Sequence, residues 1–283
     1  MADQDQRRET FRKLGRRLTK LSRKPAVENV HDFRISSRRV ETILQELAPH
    51  PSRNSKKLVK LLGRLRKKAG RVRDLDAQIA ALRSLKIPQD PQRRTQLLRT
   101  LVEERAQREE KLAKAFDQKT VAEVRKRLKR AAGRLPANLQ QNALALAMRR
   151  VQHLVADRGP VTEKTLHRYR IVGKRARYLA ELAGKDPASA QFITQLKRLQ
   201  DVLGDWHDWL QLTARAEALF PEAAGSAFLA ALRNVTRAKF RHGIEVLLET
   251  RAAFAGKKSG PFERQPVSAQ KPEHPASAAA AVA

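Results

Sequence analysis

The chain has 283 residues, and 60 Lys and Arg against 29 Asp and Glu give it a formal net charge of +31. This imbalance excludes a neutral surface and favours an anionic partner: nucleic acid, an anionic membrane or a polyanion such as polyphosphate. The lack of Cys excludes disulfides and thiolate metal sites. The sequence has no apolar run near the ~20 residues that span a bilayer and no apolar N-terminal signal, which predicts a cytoplasmic protein without a membrane span.

Prolines and glycines divide the chain into segments whose apolar residues recur at helical spacing, which predicts helices rather than strands. In the first half the predicted helices cover about residues 4–22, 28–48, 53–85 and 92–132, the last with a kink near Asp117. In the second half they cover about residues 137–156, 162–182, 189–219 and 222–255. Residues 256–283 are rich in Gly, Pro, Ser and Ala and have little periodicity, which predicts a disordered tail.

One segment occurs twice. Residues 30–40 return as residues 166–176, a constant 136 positions later, and the third helices of the two halves match at an offset of 134. The paired positions are His31 with His167, Arg34 with Arg170, Arg38 with Lys174, Arg39 with Arg175, Gly70 with Gly204 and Asp74 with Asp208. A repeat of this size predicts an all-α fold of two four-helix bundles, about 5–132 and 137–255, related by a pseudo-two-fold axis.

The repeated segment carries a cationic ridge in each half. Helix positions i, i+3 and i+7 share a face, so His31, Arg34 and Arg38 form the first ridge, and their three counterparts form the second. We expect both ridges to face a common cleft. Asp74 and Asp208 are predicted to form structural ion pairs, and Trp206 with Trp209 to pack in the core.

The repeated motifs resemble those of the conserved histidine α-helical domain (CHAD) family. The matching segments are VHDFR (30–34) with RR (38–39), GRVRDLD (70–76), LHRYR (166–170) with KRARY (174–178), and LQDVLGDWHD (199–208). The resemblance covers roughly residues 5–255, so residues 1–255 are predicted to be one CHAD domain. It implies two four-helix bundles around a basic central cleft that binds inorganic polyphosphate, and attachment to polyphosphate granules in a bacterial or archaeal cell.

Family members are often fused to a triphosphate-tunnel metalloenzyme domain, and the lack of such a segment here implies a stand-alone binder. The motif residues that match, and are therefore candidate polyphosphate ligands, are His31, Arg34, Arg38, Arg39, Arg71, Arg73, His167, Arg170, Lys174, Arg175 and Arg177. Lys67, from the cationic stripe on the third helix, is a further candidate. In the second half Asp205 and His207 stand at the places of Arg71 and Arg73, so we expect an asymmetric cleft. No metal and no cofactor is expected.

Two alternative functions would also use the positive charge of the chain. A nucleic-acid or nucleoid-binding protein is the main alternative, although aromatic residues make up only 5% of the chain, and single-strand binders interleave aromatics with cations. A metal-dependent phosphohydrolase is the other, but the cations beside His31 and His167 would repel a metal ion. The sequence has no Gly-rich phosphate loop and no nucleophile with a base, so we expect a binding protein and not an enzyme. It does not fix the oligomeric state.

Overall fold

A computed structural model describes residues 2–48, 50–86, 90–134, 143–157, 159–183, 187–223 and 225–255. The described part contains nine α-helices and no strand, which confirms the prediction of an all-α fold. The helices are α1 (Ala2–Arg23), α2 (Val27–Thr42), α3 (Arg53–Ser84), α4 (Pro91–Ala115), α5 (Gln118–Ala132), α6 (Ala143–Ala156), α7 (Glu163–Ala180), α8 (Pro187–Leu219) and α9 (Ala227–Ala255). A π-helical turn, Ile43–Leu47, continues α2, and a 3₁₀ turn, Pro221–Ala223, precedes α9. No helix in these ranges is long and apolar enough to cross a bilayer.

Polar caps set two of the helix boundaries. The kink predicted near Asp117 is a break between α4 and α5, because the Asp117 carboxylate accepts a hydrogen bond from the Thr120 N–H at 2.6 Å and caps the new helix. Thr162 and Thr165 form a reciprocal capping box at the start of α7. The predicted start of α6 near residue 137 and the predicted disorder of residues 256–283 lie outside the described residues.

The first half packs as a ring of four helices. Helix α1 contacts α2 and α5, and α3 contacts the same two helices, so α1 and α3 lie on opposite sides of the ring. The ring encloses an apolar core that includes Leu14, Phe33 and Leu62. Phe116, at the end of α4, meets Phe33 edge-on at 5.1 Å between ring centroids. This core fixes which face of α2 turns inward and which face carries the cations.

Helices α6 to α9 form the second half. Helix α7 packs on α6 and α8, and α9 packs on α8 and α6. Their core includes Tyr169, Leu203 and Trp206, and the Trp206 side chain is fully buried. Trp209, one helical turn further along α8, is also buried. The prediction that both tryptophans pack in the core is confirmed.

The two halves share an apolar cluster at one end. Leu75 and Leu82 of α3 and Leu101 of α4 pack against Trp209 of α8 and Phe228 of α9. Helix α2 also contacts α7, and α3 contacts α8. The described residues therefore form one body with a joint core, and the two-bundle repeat with its pseudo-two-fold axis stays a prediction.

Candidate functional site: a basic cleft

A cavity of about 420 Å³ lies where α2 and α3 face α7 and α8. Seven cations and four carboxylates line it. The cations are Arg34, Arg38, Arg66, Arg73, Arg170, Lys174 and Arg177, and the carboxylates are Asp74, Asp201, Asp205 and Asp208. Guanidinium groups are therefore the most numerous charged groups in this cleft, and their planar N–H donors match the geometry of carboxylate and phosphate oxygens.

Arg34 reaches across α3 because a glycine lies beneath it. Phe33 and Val40 of α2 are buried in the first core, so Arg34 leaves the helix at the edge of that core. A Cβ built on Gly70 would lie only 2.7 Å from Arg34 Nη1, closer than real Cβ atoms approach another atom. The Arg34 Nη1 atom is 3.7 Å from the Asp74 carboxylate, which is 60% exposed. Gly70 thus makes the room in which the guanidinium lies.

Arg66 of α3 supplies a second half-buried guanidinium, and sequence reasoning missed it. Its Nη2 donates to the Glu41 carboxylate at 2.7 Å, while Arg38 binds the other oxygen of Glu41 at 3.1 Å. The Arg66 side chain is only 11% exposed, and its Nη1 is buried without a hydrogen-bond partner among the described residues. One carboxylate therefore holds two arginines in place and leaves donors free toward the cleft.

The cations of α7 form the opposite wall. Leu166, Tyr169 and Ala176 are buried in the apolar clusters of the second half, and the opposite face of α7 therefore directs its cations to the cleft. These cations are Arg170, Lys174 and Arg177. The Nε atoms of Arg170 and Arg177 are buried and have no hydrogen-bond partner in the described part of the chain. Arg177 has a long ion pair with Glu181 at 3.6 Å, but Arg170 and Lys174 have no ion-pair partner among the described residues.

Burial and mutual repulsion make these charges costly. The pKa of Lys174 falls to about 8, first because the ammonium is desolvated and then because Arg170 and Arg34 repel it. Burial likewise lowers the pKa of Arg34, Arg66 and Arg170. Each of these groups would gain from an anion in the cleft, since a negative charge favours the protonated form.

Burial and nearby cations favour the neutral form of His31 and His207. Burial, and then the charge of Arg73, lowers the pKa of His31 below its usual 6.5. Burial and the charge of Arg170 lower the pKa of His207 to about 4. The His167 ring lies 5.1 Å from the His207 ring, measured between centroids. A neutral imidazole offers an anion one N–H donor and no charge.

The carboxylates are concentrated on α8. Asp201 and Asp205 are exposed at the cleft, and Asp205 pairs with Lys239 of α9 at 2.7 Å. Burial raises the pKa of Asp208, which has no ion-pair partner among the described residues. The predicted structural ion pair is therefore present for Asp74 and wrong for Asp208. The α3 wall carries Arg66 and Arg73, whereas the α8 wall carries acids, so the cleft is asymmetric in charge.

The sequence matches the model of the CHAD domain family over residues 6–217. The chain belongs to the CHAD family. The structure of this chain is also similar to the crystal structure of the CHAD domain from the plant Ricinus communis, with a TM-score of 0.67. The match covers 87% of this chain and 88% of that one, at 18% sequence identity. At this identity the likeness shows the fold alone. No curated protein matches the sequence. The CHAD family is generally linked to polyphosphate.

The structure brings together most of the CHAD motif residues predicted to bind a ligand. Those that line the cleft are His31, Arg34, Arg38, Arg73, Arg170, Lys174 and Arg177. Those that do not line it are Arg39, Lys67, Arg71, His167 and Arg175. Lys67, Arg71 and Arg175 are exposed, and His167 lies against His207. A role in ligand binding stays a prediction for every member of both groups.

Arg39 has a different partner from the one expected. Its Nη2 lies 2.7 Å from the Glu181 carboxylate at the end of α7, and its Nε donates to the same oxygen at 2.8 Å. This pair joins α2 to α7 across the two halves of the CHAD domain.

Within the described residues, no group of three or more His, Asp and Glu side chains could hold a metal ion.

Proposed function

We propose that this CHAD protein binds inorganic polyphosphate in the cleft between α2, α3, α7 and α8. The observation that carries the proposal is the state of Arg170 and Lys174, which are half-buried, have no ion-pair partner among the described residues and have pKa values lowered by desolvation. Desolvated cations of this kind destabilise the unliganded fold. An incoming polyanion would supply the missing counter-charge and accept the free N–H donors.

The chemistry of the cleft favours a polyphosphate chain over a ligand with bases. Polyphosphate offers closely spaced oxygens with about one negative charge for each unit, and guanidinium groups bind such oxygens in pairs. The one phenol among the lining residues, Tyr178, is buried, so its ring offers no stacking platform. Base stacking on aromatic side chains is the usual device of single-strand nucleic-acid binders.

Nucleic-acid binding is the second candidate, and the outer face of α3 favours it. Lys57, Lys60, Arg64, Lys67 and Arg71 are exposed and lie on one face of that helix. Between residues 53 and 73 the helix has no Asp or Glu to balance them. A convex row of this kind fits the phosphates of a duplex, whereas the cleft cations lie inside a concave site.

The proposed role is binding without catalysis, in association with polyphosphate granules in the cytoplasm. Two things support it: the cations that surround His31 would repel a metal ion, and the cleft contains no nucleophile paired with a base. Storage, granule positioning and recruitment of other proteins are all compatible with such binding.

A competition titration tests the proposal. Fluorescent long-chain polyphosphate is bound to the protein at about 150 mM salt, and unlabelled polyphosphate or duplex DNA is added at equal charge concentration. We expect polyphosphate to displace the probe at lower concentration than DNA, and the Arg170→Gln variant to reduce this preference. Stronger displacement by DNA would overturn the proposal in favour of nucleic-acid binding.

A further inference from the structure

A second basic groove lies away from the cleft. It is a cavity of about 850 Å³ between α1 and α5, about twice the volume of the polyphosphate cleft. In the four-helix ring the α1–α5 edge is opposite the α2–α3 edge, and α2 and α3 are the helices that face the second half. The groove is therefore a separate surface, and the proposed polyphosphate site makes no use of it.

Two rows of cations border this groove. Arg8, Arg12, Arg16 and Lys20 recur every four residues along α1, and Arg125 and Lys129 are spaced in the same way along α5. Residues four apart are neighbours on the helix surface, so each row follows its helix as a ridge inclined by about 26° to the helix axis. The α1 row spans about 18 Å at 1.5 Å for each residue.

The channel between the rows is apolar and open. Phe11 and Gly15 of α1 and Leu128 and Ala132 of α5 line it. A Cβ built on Gly15 would have no atom within 4 Å, so the space above this residue is empty. Phe11 and Leu128 belong to the core of the first half, which makes the floor of the channel a rigid part of the fold.

The cations have little compensation from the protein itself. Glu9 pairs with Arg12 at 4.0 Å and also with Arg16, and both arginines remain more than 60% exposed. Lys20, Arg125 and Lys129 have no ion-pair partner among the described residues. Among the described residues, Glu9 is therefore the one carboxylate paired with any of these six cations, which leaves a strongly positive rim around an apolar floor.

We propose that this groove docks an acidic amphipathic helix of a partner protein. Such a helix would place an apolar stripe in the channel and carboxylates against both rows of cations, which is the helix-in-groove mode of recognition. A polyphosphate chain would meet the cations but would gain nothing from the apolar floor. The chain's own segments outside the described residues do not match, because residues 135–142 have no charge and residues 256–283 carry four Lys and Arg against two Glu.

A designed peptide tests this assignment. The probe is a fluorescent 20-residue helix with a Leu stripe at i, i+3, i+4 and i+7 flanked by Glu, and its control has the same composition in an order without an apolar face. Fluorescence anisotropy gives the affinity of each peptide for the full chain. We expect the amphipathic peptide to bind about tenfold tighter than its control, because only the ordered stripe fills the channel.

Two variants separate the groove from the general positive charge. Gly15→Leu fills the channel without removing a charge and should weaken peptide binding about tenfold, whereas Gly63→Leu on α3, where a Cβ also meets no atom, should leave it unchanged. Replacing Arg16, Lys20, Arg125 and Lys129 with Gln should cost more affinity than the same four-charge change at Lys57, Lys60, Arg64 and Lys68 on α3.

Three results would overturn the inference. These are equal binding of the two peptides, equal losses in the groove and α3 charge variants, and displacement of the peptide from the groove by polyphosphate at equal charge. The last would make the groove a second polyanion site. None of them depends on the cleft, because the groove variants leave Arg170 and Lys174 intact and are checked separately by polyphosphate titration. A thermal melt confirms that each variant is folded.

Discussion

Replacing Lys174 with Met should stabilise the unliganded protein and weaken polyphosphate binding at the same time. Met has about the length of Lys and packs well in irregular space, so the change removes the ammonium with little change of volume. The ammonium lies among Arg170 and Arg34 without an ion-pair partner in the described chain. Removing it therefore relieves desolvation and repulsion in the free protein and deletes one contact to the polyanion.

The magnitude follows from the pKa of Lys174. A pKa of about 8 in place of 10.5 means that the folded state disfavours the charged form by roughly 3 kcal/mol, at 1.36 kcal/mol for each pH unit. The folded pKa lies below the unfolded one, so this cost is fully present below pH 8 and fades as the pH rises toward 10.5. Roughly 3 kcal/mol is an upper value, since the site relaxes, and it corresponds to about 6–12 °C in Tm.

Thermal melts at pH 7 and pH 10, without ligand, measure this effect. The melting temperature of Lys174→Met should exceed that of the wild type at pH 7, and the gap should narrow at pH 10. Lys68→Met, on the exposed face of α3, is the matched control and should change little. A lower melting temperature for Lys174→Met at pH 7 would refute the reasoning, because it would mean that the ammonium has a stabilising partner such as Asp208.

Three further predictions concern the cleft and its frame. Polyphosphate affinity should fall about tenfold between pH 7 and pH 9, because Lys174 loses its proton above pH 8 in the free protein and must regain it on binding. The affinity of Lys174→Arg should not change with pH in the same titrations. Gly70→Ala should weaken polyphosphate binding by pushing Arg34 aside, whereas Gly63→Ala, where a Cβ has free space, should bind like the wild type. Arg39→Gln breaks the ion pair with the Glu181 carboxylate at the end of α7, so it should lower the free energy of unfolding by about 1–2 kcal/mol in a urea titration. The same variant should keep its polyphosphate affinity within about twofold of the wild type, and a larger loss would assign Arg39 to the ligand.

The walls of the cleft formed by α2 and α7 were predictable from the sequence. Apolar residues at helical spacing fix the core face of each helix, and cations at i, i+3 and i+7 then emerge together on another face. Arg34 and Arg38 from one copy of the repeat, and Arg170 and Lys174 from the other, all line the cleft. For these helices local periodicity carries the necessary information.

The α3 wall was only partly predictable, because cations cover every exposed face of that helix. Periodicity separates buried from exposed positions, but it does not say which exposed face meets another helix. Lys67 and Arg71 lie on the outer face, whereas Arg66 and Arg73 face the cleft with Gly70 between them. A glycine at i+4 between cations at i and i+7 was the available signal, since a missing side chain permits close approach.

The repeat also misled where its two copies differ. Arg39 and Arg175 are equivalent in sequence, but among the described residues Arg39 pairs with a carboxylate and Arg175 does not, because Glu181 stands where the first copy has Gln45. The joint core could not be foreseen either. Leu75 and Leu82 have the same helical spacing whether they pack within their own half or against Trp209 of the other. Pairing between distant helices depends on tertiary packing, which local patterns do not encode.

The central claim is that polyphosphate binds in the cleft and not merely to a basic surface. Two variants with equal loss of charge test it: Arg34, Arg38, Arg170 and Lys174 replaced with Gln in one, and Lys57, Lys60, Arg64 and Lys68 replaced with Gln in the other. Gln keeps the helix propensity nearly unchanged. Each variant is titrated with polyphosphate at about 150 mM salt beside a melt without ligand.

The account predicts that the cleft variant loses roughly a hundredfold in polyphosphate affinity, since four charge-assisted contacts are removed, while its melting temperature holds or rises. The α3 variant should lose several-fold less. Equal losses in the two variants would contradict the account, because they would show that only total charge matters. A large fall in the melting temperature of the cleft variant, with binding intact in the folded fraction, would contradict it as well.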